Sequence, residues 1–213
     1  MEDKMSYTAA DVAFVHDAVE RGRRTYEQYV GLPPGVLTRI YAADDWTFAL
    51  QVYAMLEIAV DQIILRDAPD LTREWLMNCD FRNEKNGRVS YGVAHGTIST
   101  GERTAIGAVA KLRNRYVHDL RNAVVPLTDY LRNDPVGKEI ANELAKSNML
   151  VGRDAREWLL MEPRSSLMLI VGKFMNRVVD SEVERQHGLG FTSKDGRVLV
   201  TEDAPRRPPI ADE

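Results

Sequence analysis

A chain of 213 residues with 44% hydrophobic content is long enough to bury a full core, and its size suits one domain with a tail. Its 28 Lys and Arg against 32 Asp and Glu leave a formal charge of -4, which excludes a global field drawing it to nucleic acid or membrane. Any anionic partner must be held by a local patch, and the single cysteine, Cys79, excludes both an intramolecular disulfide framework and a multi-cysteine zinc site.

The start, MEDKMSYTAADVAF, has no basic region followed by an apolar core. The longest unbroken apolar run, 167–171, is far short of the roughly 20 residues of a membrane span. A cytoplasmic protein with no membrane partner is expected. Thr8 and Asp11 pattern a capping box ahead of Val12, Val15, Val19, Gly22, Tyr26 and Tyr29, whose spacing of three and four predicts a first amphipathic helix. Gly31-Leu-Pro-Pro-Gly35 ends it.

Asp44 or Asp45 is placed to cap a helix over 46–65, in which Phe48, Val52, Met55, Ala59 and Ile63 form a wide apolar face. Glu57 and Asp61, four apart, pair on its polar side. Pro69-Asp70 starts a short helix through Met77. The stretch 79–96 then reads as polar and irregular, with a turn at Asn86-Gly87. Arg88 and His95 within it share an arginine, six residues, histidine spacing, but Gly92 and the irregular setting argue against a site there.

Ser99-Thr-Gly-Glu102 is a capping box that opens a strongly helical segment ending in Lys111-Leu-Arg-Asn-Arg-Tyr-Val-His118-Asp-Leu-Arg121. On that helix Ala105, Val109, Leu112, Tyr116 and Leu120 share one face, with Arg113 at its edge and Asn114 and His118 on roughly the opposite side. A joint site for Arg113 and His118 therefore needs a helix break near Val117 or a second subunit. Residues 123–131 continue as helix interrupted by Pro126, and Asp134-Pro135 caps another helix through Lys146. A short segment follows at 155–160, and a long core helix over 165–186 is expected to end at Gly188. Asp195-Gly196 between short alternating runs signals a hairpin, and the proline-rich 204–213 reads as a mobile tail.

The segment Arg113-Asn-Arg-Tyr-Val-His118 resembles the signature of the HEPN superfamily: an arginine, a polar residue, a short spacer, then a histidine. Its lead-in, 81–85, VSYGVAHGTIS over 89–99 and Glu102, is similar to the subset that includes the mannitol operon repressor family. The likeness covers about 44–121. It implies an all-α, HEPN-like helical bundle over 1–188, to which the hairpin and flexible tail of 189–213 are appended. It further implies a metal-independent endoribonuclease of toxin or defence type. There histidine assists attack of a ribose 2′-hydroxyl and arginine stabilises the charge that develops at phosphorus, in a cleft shared by two subunits.

On this reading His118 is the acid/base, Arg113 the phosphate clamp and Asn114 an orienting donor, while Lys111, Arg115 and Arg121 steer RNA. Glu57 or Asp61 would orient Arg113 or Arg115. The expected partners are RNA and a second copy of the chain. The alternative implied by the same resemblance is a non-catalytic regulator or co-regulator acting through a protein partner. His16, His95, His118 and His187 lack short ligand spacing and there is no glycine-rich nucleotide loop, so neither metal nor cofactor is expected.

Overall fold

The computed structural model describes residues 17, 20–21, 24–28, 32–83, 85–119, 121–150, 154–187, 190–194 and 197–201, with side chains described through residue 180. The chain is mostly helical and of the all-α class. Its helices are α1 (Val36–Ala42), α2 (Asp45–Asp67), α3 (Asp70–Met77), α4 (Arg88–Ala94), α5 (Thr100–His118), a 3-10 turn (Asn122–Val124), α6 (Leu127–Asn133), α7 (Pro135–Lys146), α8 (Ala155–Met161) and α9 (Pro163–His187). After them, Gly190–Lys194 pairs antiparallel with Arg197–Thr201. The expected turn residues Asp195 and Gly196 lie outside the described residues. So do most of the first amphipathic helix, Leu120, Gly188 and the tail.

Local chemistry starts the helices where the sequence places the signals. Asp44 Oδ1 accepts from Thr47 N, and Asp134 Oδ1 accepts from Val136 N and Gly137 N with Pro135 in the first turn. Ser99 and Glu102 make both halves of the capping box that opens α5. Buried Glu27 takes on a similar task at a distance. Its carboxylate accepts from Gly35 N at 2.8 Å and Leu37 N at 2.5 Å, supplying acceptors to the start of α1 after the two prolines.

Helix α2 packs against both α5 and α9, and α5 in turn packs against α7. Phe48, Val52, Leu56, Ala59, Val60 and Ile63 of α2 are buried with Ala105, Val109, Leu112 and Tyr116 of α5 and Leu167, Ile170, Val171 and Phe174 of α9. Each such Leu, Ile, Val or Phe contributes about 1.5–3 kcal/mol through apolar burial. By length and composition α2 is also apolar enough to cross a membrane, with mean hydropathy 1.6. Counting only unbroken apolar runs missed this, because Glu57 and Asp61 interrupt the run. In the structure, the helix buries its apolar face in the protein.

Two local expectations are corrected. The stretch read as irregular contains α4, started by a turn in which Asn83 Oδ1 accepts from Lys85 N and Asn86 N. Gly92 belongs inside that helix because a Cβ there would stand 2.7 Å from Ile98 Cγ1 and 3.0 Å from Ile64 Cδ1, so its absence lets α4 lie close to α2. Nor is 123–131 one interrupted helix. The chain makes a 3-10 turn, extends at Val125, and restarts at Leu127 with Pro126 before it.

Candidate functional site

Helix α5 carries Arg113, Asn114, Arg115 and His118, and it runs unbroken through His118. The break near Val117 that a single-chain site needs is not formed. The physical reason lies in how the last turn is satisfied. A helix leaves its final carbonyls without intrahelical donors. Here Trp46 Nε1–H donates to the Tyr116 carbonyl at 3.0 Å and Asn122 Nδ2–H donates to the Arg115 carbonyl at 3.1 Å. Tyr116 Oη also donates to the Val125 carbonyl at 3.2 Å, tying the helix to the returning chain. Burial pushes the Tyr116 phenol pKa upward, with the Asp45 carboxylate adding to the effect.

His118 is exposed, and among the described residues no hydrogen bond or ion pair engages it. Arg113 lies on the other side of the helix, its guanidinium 5.7 Å from the Tyr53 ring centroid and its Nη1–H donating to Asn114 Oδ1 at 3.0 Å. Asn114 therefore orients the arginine by accepting from it. Arg115 is exposed. The three residues expected to act together are brought onto one helix but not into one cleft.

The supporting cations have other engagements. Lys111 Nζ donates to Glu139 Oε1 at 2.9 Å and Glu143 Oε1 at 2.6 Å, bonds that raise its pKa and join α5 to α7. Arg121 grips Asp119 through Nε and Nη2 at 2.9 and 2.7 Å, and this hydrogen bonding holds the Asp119 carboxyl down at about 2.

Glu57 and Asp61 orient a different arginine from the one expected. Arg88 Nε donates to Asp61 Oδ1 at 2.7 Å and Nη1 to the Cys79 carbonyl at 2.6 Å, while Nη2 lies 3.5 Å from Glu57 Oε1. Arg88 also stands 5.7 Å from the Phe81 ring centroid. Desolvation raises the Asp61 pKa, against the pull of Arg88. Arg88, discounted as a site because of Gly92 and the irregular setting of its stretch, is thus a structural junction. Its companion His95 is exposed and stacks on Tyr91 with centroids 4.1 Å apart.

Tyr53, four residues before Glu57 and beneath the Arg113 guanidinium, was not nominated by sequence reasoning. Tyr53 was detectable in principle, since Tyr53, Glu57 and Asp61 recur every four residues along one side of α2. Among the described residues no group of three or more His, Cys, Asp and Glu side chains forms a metal-holding cluster. No family model, curated protein or solved structure matches this chain.

Proposed function

We propose that this chain is a cytoplasmic, HEPN-like helical bundle with an appended C-terminal hairpin and flexible tail, and that it acts on RNA as a metal-independent endoribonuclease of toxin or defence type. The observation that carries the reading is the exposed His118, unengaged among the described residues, at the end of a helix pinned by Trp46 and Asn122, on the same helix as Arg113, which is in no ion pair among those residues. Because Arg113 and His118 diverge on an unbroken helix, the working site is composite and the protein a homodimer. A closed dimer can set His118 of one copy across from Arg113 of the other.

In this mechanism the His118 imidazole removes the proton of a ribose 2′-hydroxyl as that oxygen bonds to the adjacent phosphorus. Arg113 stabilises the negative charge on the non-bridging oxygens, and Asn114 holds the guanidinium in place. The 5′-oxygen leaves as it is protonated by the imidazolium, giving a 2′,3′-cyclic phosphate and a 5′-hydroxyl. Arg115 contributes steering charge.

The regulatory alternative draws on a specific observation: Lys111 and Arg121, two of the expected RNA-steering cations, are neutralised by Glu139, Glu143 and Asp119. The experiment that separates the readings is cleavage of single-stranded RNA in the presence of chelator. His118→Ala is expected to lower the rate by roughly 100- to 10,000-fold with unchanged thermal unfolding. A highly purified wild type that cleaves no faster than His118→Ala would move the regulatory reading ahead. A strictly monomeric mass by light scattering would remove the composite site.

A further inference from the structure

We propose that the cleft between α6 and α8 binds a free α-amino acid with an apolar side chain. The proposal goes beyond the RNA-directed reading and uses none of its residues.

Arg132 of α6 and Arg156, Glu157, Leu160 and Met161 of α8 line an open cleft of about 390 Å³. The α8 residues stand at i, i+1, i+4 and i+5, a spacing that brings all of them onto one side of a helix. Helix α6 packs against α8, so Arg132 borders the cleft from a second element.

Each arginine is fixed by one bond and keeps the rest of its fork. Arg132 Nη2–H donates to the Leu160 carbonyl at 3.0 Å, in the last turn of α8. Arg156 Nε–H donates to Asn142 Oδ1 of α7 at 2.8 Å. Among the described residues, Arg132 Nε and Nη1 and both Nη groups of Arg156 make no hydrogen bond.

Glu157 shares the cleft with both guanidiniums, and among the described residues it forms an ion pair with neither. On the other side of α7 the opposite holds, where Lys111 is closed off by Glu139 and Glu143. The cleft thus presents both signs of charge side by side, each with bonding capacity left over. Its apolar part is half-buried Leu160 and Met161, the latter 41% exposed and with a side chain that adapts to irregular shapes.

That set of groups selects among ligands. A phosphate or a nucleic-acid strand brings only negative charge and meets Glu157, while an aliphatic amine meets two guanidiniums. An α-amino acid carries both charges on one carbon. Its carboxylate suits the paired Nη–H donors of Arg156 with Arg132 alongside, its ammonium suits Glu157, and an aliphatic side chain covers Leu160 and Met161. The volume lies at the small end of ligand sites, as such a ligand requires.

The test is isothermal titration calorimetry of the full chain with L-leucine, with 4-methylpentanoate, which lacks the ammonium, with 3-methylbutylamine, which lacks the carboxylate, and with inorganic phosphate. Leucine is expected to bind with a Kd of roughly 1 mM or below, and about tenfold or more tighter than any of the other three. Arg156→Gln and Arg132→Gln are each expected to weaken leucine binding by about tenfold. Glu157→Gln is expected to weaken leucine severalfold but to strengthen 4-methylpentanoate, a reversal that loss of structure does not produce. Far-UV circular dichroism checks that each variant is folded.

The proposal is overturned if leucine does not bind, if phosphate or 4-methylpentanoate binds wild type as tightly as leucine does, or if Glu157→Gln shifts both ligands in the same direction. None of these outcomes bears on the nuclease reading, because His118→Ala is expected to bind leucine as wild type does. Equally, wild type that cleaves no RNA leaves the cleft as it stands.

Discussion

Arg88 and Arg113 both approach the side of α2 that carries Tyr53, Glu57 and Asp61, and they meet different surroundings there. Arg88 has 14% of its side chain exposed and is engaged by two carboxylates, a backbone carbonyl and an aromatic ring. Arg113 has a ring beneath it and a neighbouring amide beside it, but among the described residues no carboxylate is in an ion pair with it. The first arrangement neutralises the guanidinium with two carboxylates and locks α4 against α2. The second keeps donors available to a ligand. A guanidinium near a cleft is therefore not by itself a site, and what distinguishes the two is where the acids went.

That contrast predicts opposite costs. Arg88→Ala leaves Asp61, 23% exposed, and the more exposed Glu57 without their cation, and is expected to lower stability by about 3 kcal/mol. Arg113→Ala forfeits one cation–π contact and one hydrogen bond, and less than about 1 kcal/mol is expected. Urea denaturation followed by circular dichroism measures both. Equal losses, or a larger loss at Arg113, would collapse the distinction and make Arg113 a structural residue.

The acids sharpen the same comparison through pH. Desolvation raises the Asp61 pKa, so its contribution to stability is fully present below the ordinary carboxylate range and is lost as pH rises through the raised value. The exposed Asp119, held at about 2 mainly by hydrogen bonds from Arg121, behaves in the opposite sense: its contribution is present above its ordinary pKa and is lost as pH falls towards about 2. Carboxyl NMR titration should place Asp61 above and Asp119 below the ordinary aspartate midpoint. Substituting Asn at each position should change the pH dependence of stability with opposite signs. Midpoints in the reverse order would mean that Arg88 outweighs burial at Asp61.

Much of the helical framework was legible because its signals are local. The Ser99–Glu102 box, Asp134-Pro135 and the Asp70–Met77 helix depend on residues within one turn of each other. The buried stripe Ala105, Val109, Leu112, Tyr116 follows equally from helical period. Helix α4 was hidden because Gly92, a weak helix former, is there for its close approach to Ile98 and to Ile64, the latter on a different helix and distant in sequence. The choice of Arg88 by Glu57 and Asp61 spans 27 residues in the Asp61 bond, and the Trp46 bond to the Tyr116 carbonyl spans 70. Spacing along one helix contains no information on either. For the candidate site, sequence could nominate residue types and the divergence of Arg113 from His118, but not the Tyr53 ring beneath Arg113, which lies on another helix.

The smallest predicted effect concerns two phenols behind the motif helix, again one satisfied and one not. Tyr116 and Tyr130 meet edge to face with centroids 5.6 Å apart, both buried. Tyr116 Oη donates to the Val125 carbonyl, whereas Tyr130 Oη is buried near the Asp134 carboxylate and, among the described residues, makes no hydrogen bond of normal length and angle. Removing a bonded hydroxyl strands the carbonyl it served, so Tyr116→Phe is expected to cost about 1 kcal/mol. Removing an unbonded one relieves a desolvated polar group, so Tyr130→Phe is expected to be neutral or stabilising by up to about 1 kcal/mol. Burial also pushes the Tyr130 phenol up to about 12, so its contribution is intact below the ordinary phenol pKa and is lost as pH rises through about 12. Tyr130→Phe should accordingly shift alkaline unfolding to higher pH, a change that spectrophotometric titration at 295 nm can assign to the missing phenol. If Tyr130→Phe instead destabilises the chain as much as Tyr116→Phe, the Tyr130 hydroxyl is hydrogen-bonded in solution, to the nearby Asp134 carboxylate, and the contrast between the two phenols fails.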